Sequence, residues 1–180
     1  MFPGSRPTGI KHGTVTVVIG SRSAEVTTFR SEGDYADHRH PSSVAFVGDL
    51  TTDLMRRDFT MNAMAVSADG LIIDPYGGAE DIRRGCIRCV GAPEKRFDED
   101  ALRMLRAFRF SSRLGFEIEP ATLAAIGKKA PLAAGLAAER VSAEVEKILL
   151  TARPETLHTV ISLGLIDKYL DRRIAPEEEQ

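Results

Sequence analysis

At 180 residues, 43% of them hydrophobic and 28% charged, the chain is long enough for one ordinary domain or two small ones and apolar enough to bury a core. No stretch approaches the roughly 18 consecutive apolar residues of a membrane helix, and Met1-Phe2-Pro3-Gly4 does not resemble a signal peptide, which points to the cytoplasm. The net charge of −2 excludes a bulk affinity for nucleic acid, so any RNA contact must come from local clusters: Arg56-Arg57, Arg83-Arg84 and the series Arg103, Arg106, Arg109, Arg113. The end, Glu177-Glu178-Glu179, is acidic.

From Gly13 to Phe29 threonine and valine dominate around a Gly20-Ser21-Arg22-Ser23 interruption, the pattern of a β-hairpin. A polar loop follows, Ser31 to Pro41. Apolar positions Leu50, Leu54, Phe59, Met61 and Met64 then suggest helical pieces up to Ala65. Leu71-Ile72-Ile73 reads as a short strand closed by the turn Asp74-Pro75-Tyr76-Gly77-Gly78, and Ile87 to Val90 as another. Gly77-Gly78 reads as a tight turn rather than a phosphate cradle. Cys86 and Cys89 form a lone C-x-x-C with no second pair at zinc-finger spacing, so both read as structural cysteines. After Pro93 alanine and leucine become frequent, and amphipathic helices can be drawn over 98–113, 120–128 and 138–151, with Pro120, Pro131 and Pro154 at starts or breaks. The fold class expected is therefore α+β: a unit of short strands and helices over 1–94, then an all-α unit over 95–180.

The helix drawn from residue 98 carries the most chemistry. At about 100° per residue Ala101, Met104, Leu105 and Phe108 form an apolar stripe, while Arg103, Arg106, Arg109 and Arg113 cover the opposite side. Asp98, Glu99 and Asp100 in its first turn would suit the positive end of the helix dipole, and the i, i+3 spacing would bring Asp100 beside Arg103. A carboxylate next to a guanidinium presents an acceptor next to a donor. Cytosine and adenine each offer the complement, an amino group beside a ring-nitrogen acceptor. Uracil and guanine offer a carbonyl and a ring N–H there, reversing both contacts at a cost of ~1–3 kcal/mol for each group left unpaired. The plain alternative is a solvated face with an ordinary ion pair worth ~0.3–0.5 kcal/mol, and spacing alone favours it.

Longer strings change that balance. Thr8-Gly9-Ile10-Lys11-His12-Gly13-Thr14-Val15-Thr16-Val17, Glu25-Val26-Thr27-Thr28-Phe29-Arg30, Arg56-Arg57-Asp58-Phe59-Thr60-Met61-Asn62-Ala63-Met64-Ala65, Asp74-Pro75-Tyr76-Gly77-Gly78-Ala79-Glu80-Asp81-Ile82, Arg96-Phe97-Asp98-Glu99-Asp100-Ala101-Leu102-Arg103-Met104-Leu105-Arg106-Ala107-Phe108-Arg109-Phe110 and Glu139-Arg140-Val141 with Glu144 occur in this order. Together they closely resemble the class II CCA-adding enzymes and bacterial poly(A) polymerases. The resemblance implies a nucleotidyltransferase head followed by a helical neck and the start of a body. It implies transfer from CTP and ATP to the 3′ end of tRNA, with the protein as template. By the same resemblance Arg57 and Asp58 would hold the nucleotide's phosphate or sugar, Asp100 and Arg103 would read its base, and Arg106 and Arg109 would assist.

Nucleotidyl transfer uses two magnesium ions held by carboxylates. The family supplies them from an Asp-x-Asp pair on strands preceding the Thr8–Val17 motif, and this sequence begins after that point. Glu25, where the superfamily places a third carboxylate, is the metal-ligand candidate by resemblance. The only Asp-x-Asp here is Asp98-Glu99-Asp100, at an expected helix start where residues two apart do not share a face. The chain alone is thus expected to bind nucleotide weakly and to catalyse little or nothing, as a truncated product, a fragment of a longer enzyme or one half of a split enzyme whose other half brings the aspartates, with an unpaired sheet edge favouring association. His12 reads as a turn residue packing the hairpin. His38 and His40 have ligand-capable side chains without the ligand count of a metal site. Poly(A) synthesis and a non-catalytic nucleotide- or RNA-binding module are the alternatives.

Overall fold

The computed structural model describes residues 4–9, 13–33 and 43–170. His12, expected to pack the hairpin, His38 and His40, and the acidic end lie outside the described residues. The fold is α+β, with small sheets ahead of a helical half. Strands β1 (Arg6–Gly9), β2 (Thr14–Ile19) and β3 (Arg22–Thr27) form an antiparallel sheet in that order, with β2 and β3 joined by the expected tight turn at Gly20-Ser21. Its threonines pair across strands: Thr14 Oγ1 lies 3.0 Å from Thr27 Oγ1. Strands β4 (Arg30–Glu32) and β5 (Val44–Phe46) form an antiparallel pair not expected from the sequence: β4 runs into the loop expected from Ser31, and β5 lies in the stretch after Pro41 where helical pieces were expected.

Helix α1 (Leu50–Met55) is capped by Asp49, whose carboxylate accepts from the Thr51 and Thr52 N–H groups, as an acidic N-cap should. A short 3₁₀ turn, Thr60–Asn62, precedes the paired strands β6 (Ala65–Val66) and β7 (Ile72–Ile73). Helix α2 (Gly78–Arg84) then starts directly at the Gly77-Gly78 pair, so the glycines do lead into a helix, contrary to the turn-only reading. They do so for packing. Gly77 adopts φ 77°, and a Cβ on Gly78 would sit 2.2 Å from the Thr60 carbonyl oxygen. The helix N-terminus is already satisfied, because the Gly78 and Ala79 N–H groups donate to Asp74.

Strand β8 (Cys86–Ile87) pairs in parallel with β9 (Glu117–Ile118), and between them run α3 (Pro93–Glu99) and α4 (Leu102–Leu114). The single helix drawn over 98–113 is thus two. Asp100 is extended, with φ −147° and ψ 105°, and its side chain caps the Leu102 N–H at 3.0 Å. Asp98 and Glu99 consequently lie in the last turn of α3 rather than the first turn of a dipole-favoured helix. Helices α5 (Pro120–Lys129), α6 (Ala138–Leu149) and α7 (Thr156–Ser162) follow, the first two close to their expected spans.

One core joins both halves: Phe59, Ile87 and Cys89 pack with Phe97, Met104, Leu105, Phe108, Ile126, Ile148, Val160 and Leu165. Cys86 and Cys89 are free thiols, and burial pushes Cys89 up to about 12. Inside the helical half the arginine face is only partly solvated: Arg113 is exposed and Arg106 half-buried, but the other two are buried. Arg103 and Arg109 are both only 8% exposed. Arg109 Nε donates to Glu144 Oε2 at 2.5 Å, fastening α4 to α6, and Lys147 reaches the same carboxylate at 3.0 Å.

Two consequences for stability can be measured. Gly78→Ala forces a methyl group against backbone, and chemical denaturation should show a loss of about 1–3 kcal/mol. Burial pushes the Glu144 carboxyl up, but hydrogen bonds from Lys147 and Arg109 and their charges outweigh it and hold the group below its ordinary range. Its stabilising contribution is therefore complete above the unfolded value of about 4.3 and is lost as pH falls through the depressed folded value. The urea midpoint should fall on acidification from about pH 5 to 3, and Glu144→Gln should flatten that fall.

Candidate nucleotide-binding cleft

Between the hairpin sheet, α1, the 3₁₀ turn and α4 lies an open cleft of about 800 Å³. Thr14 and Thr27 line one side, Arg56, Arg57, Asp58 and Asn62 the floor, and Asp100, Arg103, Arg106 and Arg140 the other side. Six arginines and three aspartates line it in all, a net local charge of +3 in a chain of net charge −2.

Arg57 is the most available cation on the floor. Its side chain is 44% exposed and is held loosely, 3.3 Å from Asp53 Oδ2 and 3.3 Å from the Asn62 carbonyl. Arg56 binds Asp53 more tightly, at 2.7 Å, and Asp53 also accepts the Arg30 backbone N–H, which ties β4 to α1. Asp58 is buried. Burial pushes its carboxyl up, yet Arg106, Asn62 and the Phe59 N–H together outweigh it and hold the group below its ordinary value. Arg106 Nε donates to Asp58 Oδ2 at 2.7 Å, Asn62 Nδ2 to Oδ1 at 3.1 Å and the Phe59 N–H to Oδ1 at 2.9 Å. Asp58 thus fixes the Arg106 guanidinium, which stays 35% exposed and faces the cleft.

Asp100 and Arg103 line the same cleft but do not pair with each other, which corrects the expected i, i+3 ion pair. The helix break turns Asp100 out of register, and its Oδ2 accepts from Arg140 Nη2 at 2.8 Å. Arg103 Nη1 instead donates to Glu99 Oε2, four residues back, at 2.6 Å and to the Arg96 carbonyl at 3.1 Å; its Nη2 donates to the Arg56 carbonyl at 3.0 Å. Glu99 is shared, since Arg96 Nη2 donates to its Oε1 at 2.6 Å. Arg109 does not line the cleft. Its guanidinium lies 4.0 Å from the Phe110 ring centroid, and Phe110, which does line the cleft, is braced edge-on by Phe59 at 5.8 Å.

The sequence reading missed Glu99, Asn62 and Arg140 as members of the site. The i, i+4 spacing of Glu99 and Arg103 was the available signal for the first. Nothing local joins Arg140 to Asp100, 40 residues away.

The carboxylates present do not fit a divalent cation. Asp53, Asp58 and Asp100 are each neutralised by arginine, Asp98 is held by Lys129 at 2.7 Å, and among the described residues no group of three or more His, Cys, Asp or Glu could hold a metal. Glu25 is exposed on β3 opposite Thr16 and does not line the cleft, although Thr27, two residues on and therefore on the same face of the strand, does. No helix among the described residues is long and apolar enough to cross a membrane.

Residues 1–88 match the family described as the poly A polymerase head domain, and residues 115–170 match the family described as "Probable RNA and SrmB- binding site of polymerase A". The chain is 56% identical over 149 residues to the CCA-adding enzyme of Geobacillus stearothermophilus, covering 83% of this chain and 37% of that protein. The crystal structure of the Bacillus stearothermophilus CCA-adding enzyme in complex with CTP superposes with a TM-score of 0.83 at 49% identity, covering 91% of this chain and 40% of that one. The Thermotoga maritima CCA-adding enzyme complexed with tRNA superposes with a TM-score of 0.71 at 28% identity, covering 89% and 36%. The chain therefore spans well under half the length of these relatives, and it belongs to the family of the CCA-adding enzymes and poly(A) polymerases.

Proposed function

We propose that the cleft binds CTP and ATP and that the chain is the nucleotide-selecting part of a template-independent nucleotidyltransferase that adds CCA to the 3′ end of tRNA, in the cytoplasm. The observation that carries this reading is the concentration of six arginines around one open cleft in a chain that is acidic as a whole. A triphosphate needs such a site, because guanidinium forks bind phosphate oxygens in pairs and keep their charge at any physiological pH. Arg57, exposed and weakly held, takes phosphate or sugar oxygens, and Arg106 is presented by Asp58 for the same purpose. Asp100 accepts the amino group of cytosine or adenine. Arg103, with three of its five N–H donors spent on Glu99 and two carbonyls, keeps donors for the ring nitrogen. Arg109 acts indirectly, by backing Phe110.

The division at 94/95 gives a head carrying Arg57 and Asp58 and a neck carrying Asp100, Arg103 and Arg106, with the cleft between them. The transfer step of this reading depends on magnesium. Glu25, exposed on β3 and outside the cleft lining, is the candidate carboxylate among the described residues, and the aspartates of the cleft are already neutralised. The chain thus pairs with a segment, in the same or a separate polypeptide, that brings an Asp-x-Asp pair. Poly(A) synthesis is the alternative within the family, and binding without transfer the alternative outside it; the latter is favoured by the lack of a metal-holding cluster among the described residues.

The test is incorporation of labelled CTP and ATP, with magnesium, onto a tRNA lacking its CCA end, using this chain alone and then with a separately expressed segment carrying the Asp-x-Asp strands. Product from the mixture, lost on Arg57→Ala, is expected. ATP-only tailing would identify a poly(A) polymerase, and nucleotide binding without product in either condition would identify a binding module.

A further inference from the structure

Four charges meet at the break between α3 and α4, and they pair crosswise. Glu99 takes Arg103, and Arg140, from the first turn of α6, takes Asp100. Asp100 and Arg103 have the i, i+3 spacing at which opposite charges normally find each other, and such a pair would saturate the two groups with one another. The helix break at Asp100 turns its side chain out of that register, and Arg140 holds it there. A carboxylate also turns freely about its last bond, where the torsion is broad and nearly two-fold. Here one oxygen is held by the Leu102 N–H at 3.0 Å and the other by Arg140 Nη2 at 2.8 Å, so the plane of the group is fixed from two sides. Each oxygen retains a second lone-pair site, which leaves Asp100 a directed acceptor at the cleft. Arg140 Nη1 is buried with no hydrogen-bond partner, so this guanidinium is not placed for its own complement of bonds. Such an uncompensated buried donor is costly.

We propose that Arg140 is a positioning residue that sets base selectivity through Asp100: by holding the carboxylate away from Arg103 it keeps acceptor and donor separately available to the base. The proposal rests on the reading of the cleft as a CTP and ATP site. With Arg140 removed, Asp100 is free to rotate and to close on Arg103. The nucleotide then loses the contact that distinguishes an amino group from a carbonyl, while the phosphate contacts of Arg57 and Arg106 remain. Selectivity falls more than affinity.

The experiment is equilibrium binding of CTP and of UTP to the 180-residue chain and to Arg140→Met and Arg140→Lys, at constant magnesium, with thermal melts of each variant alongside. The chain should prefer CTP, and Arg140→Met should reduce the CTP/UTP affinity ratio by about tenfold, the size of one base-edge contact, while UTP binding changes little. Arg140→Lys keeps the charge but offers a point donor in place of a fork, and should give an intermediate ratio; it also carries the test if the methionine variant does not fold. A chain that prefers CTP equally with arginine, lysine or methionine at position 140 would overturn this inference and leave the cleft's function standing. Equal drops for CTP and UTP would mean a purely structural role and overturn it as well. A wild-type chain with no preference between CTP and UTP would overturn the reading of the cleft, and this inference with it.

Discussion

The structure depends on how a small set of guanidinium groups is neutralised beneath the cleft. Arg96 and Arg103 are each 8% exposed, and an unpaired charge so placed would cost several kcal/mol. Glu99 answers both, and each also donates to backbone: Arg96 Nη1 to the Met55 carbonyl at 2.9 Å and Arg103 Nη2 to the Arg56 carbonyl at 3.0 Å. Those two bonds attach the end of α1 to the junction of α3 and α4. They therefore determine where Arg57 and Asp58 emerge relative to Asp100 and Arg106. Stability and site geometry rest on the same interactions.

The same logic explains the helix break. A continuous helix from residue 98 would place Asp100 on the border of the arginine face and let it pair with Arg103. Breaking at Asp100 moves Glu99 under both buried arginines and turns Asp100 toward α6 and the cleft. Thr60, Asp81 and Arg88 make a comparable buried knot beneath the 3₁₀ turn, where Thr60 Oγ1 donates to Asp81 at 2.5 Å and Arg88 Nε at 3.0 Å. It supports the loop that carries Asn62, and through Asn62 it supports Asp58. Ion pairs that would be weak on a surface are strong here as geometric constraints, because each partner has only one position to occupy.

Much of this was legible in the sequence. The threonine-valine hairpin, the proline-started helices after Pro93 and the α+β division follow from period and breaker residues. The residues of the cleft were named because their types and order resemble those of a known family, and Arg57, Asp58, Asp100, Arg103 and Arg106 do line one cleft. Arg109 was misplaced because amphipathic projection cannot separate a solvated arginine from one that meets a buried carboxylate on another helix, here Glu144. The Asp100–Arg103 pairing failed for a related reason: the i, i+3 rule assumes a continuous helix, and the side chain of Asp100 ends one and starts the next. The short strands β4 and β5 carry too few alternating residues to signal themselves. Gly77-Gly78 carries no local signal beyond a turn, because the close approach of Thr60 that requires Gly78 comes from a segment 18 residues earlier.

In the proposed function the protein itself, through the acceptor character of one carboxylate, decides which base is taken. An ionised carboxylate can only accept, whereas an amide of nearly the same shape can both accept and donate. The direct measurement is therefore competition between CTP and UTP for the chain and for Asp100→Asn. The account predicts a preference for CTP that narrows or reverses in the asparagine variant, because the amide can meet the uracil carbonyl. An unchanged preference in a folded Asp100→Asn protein would contradict it.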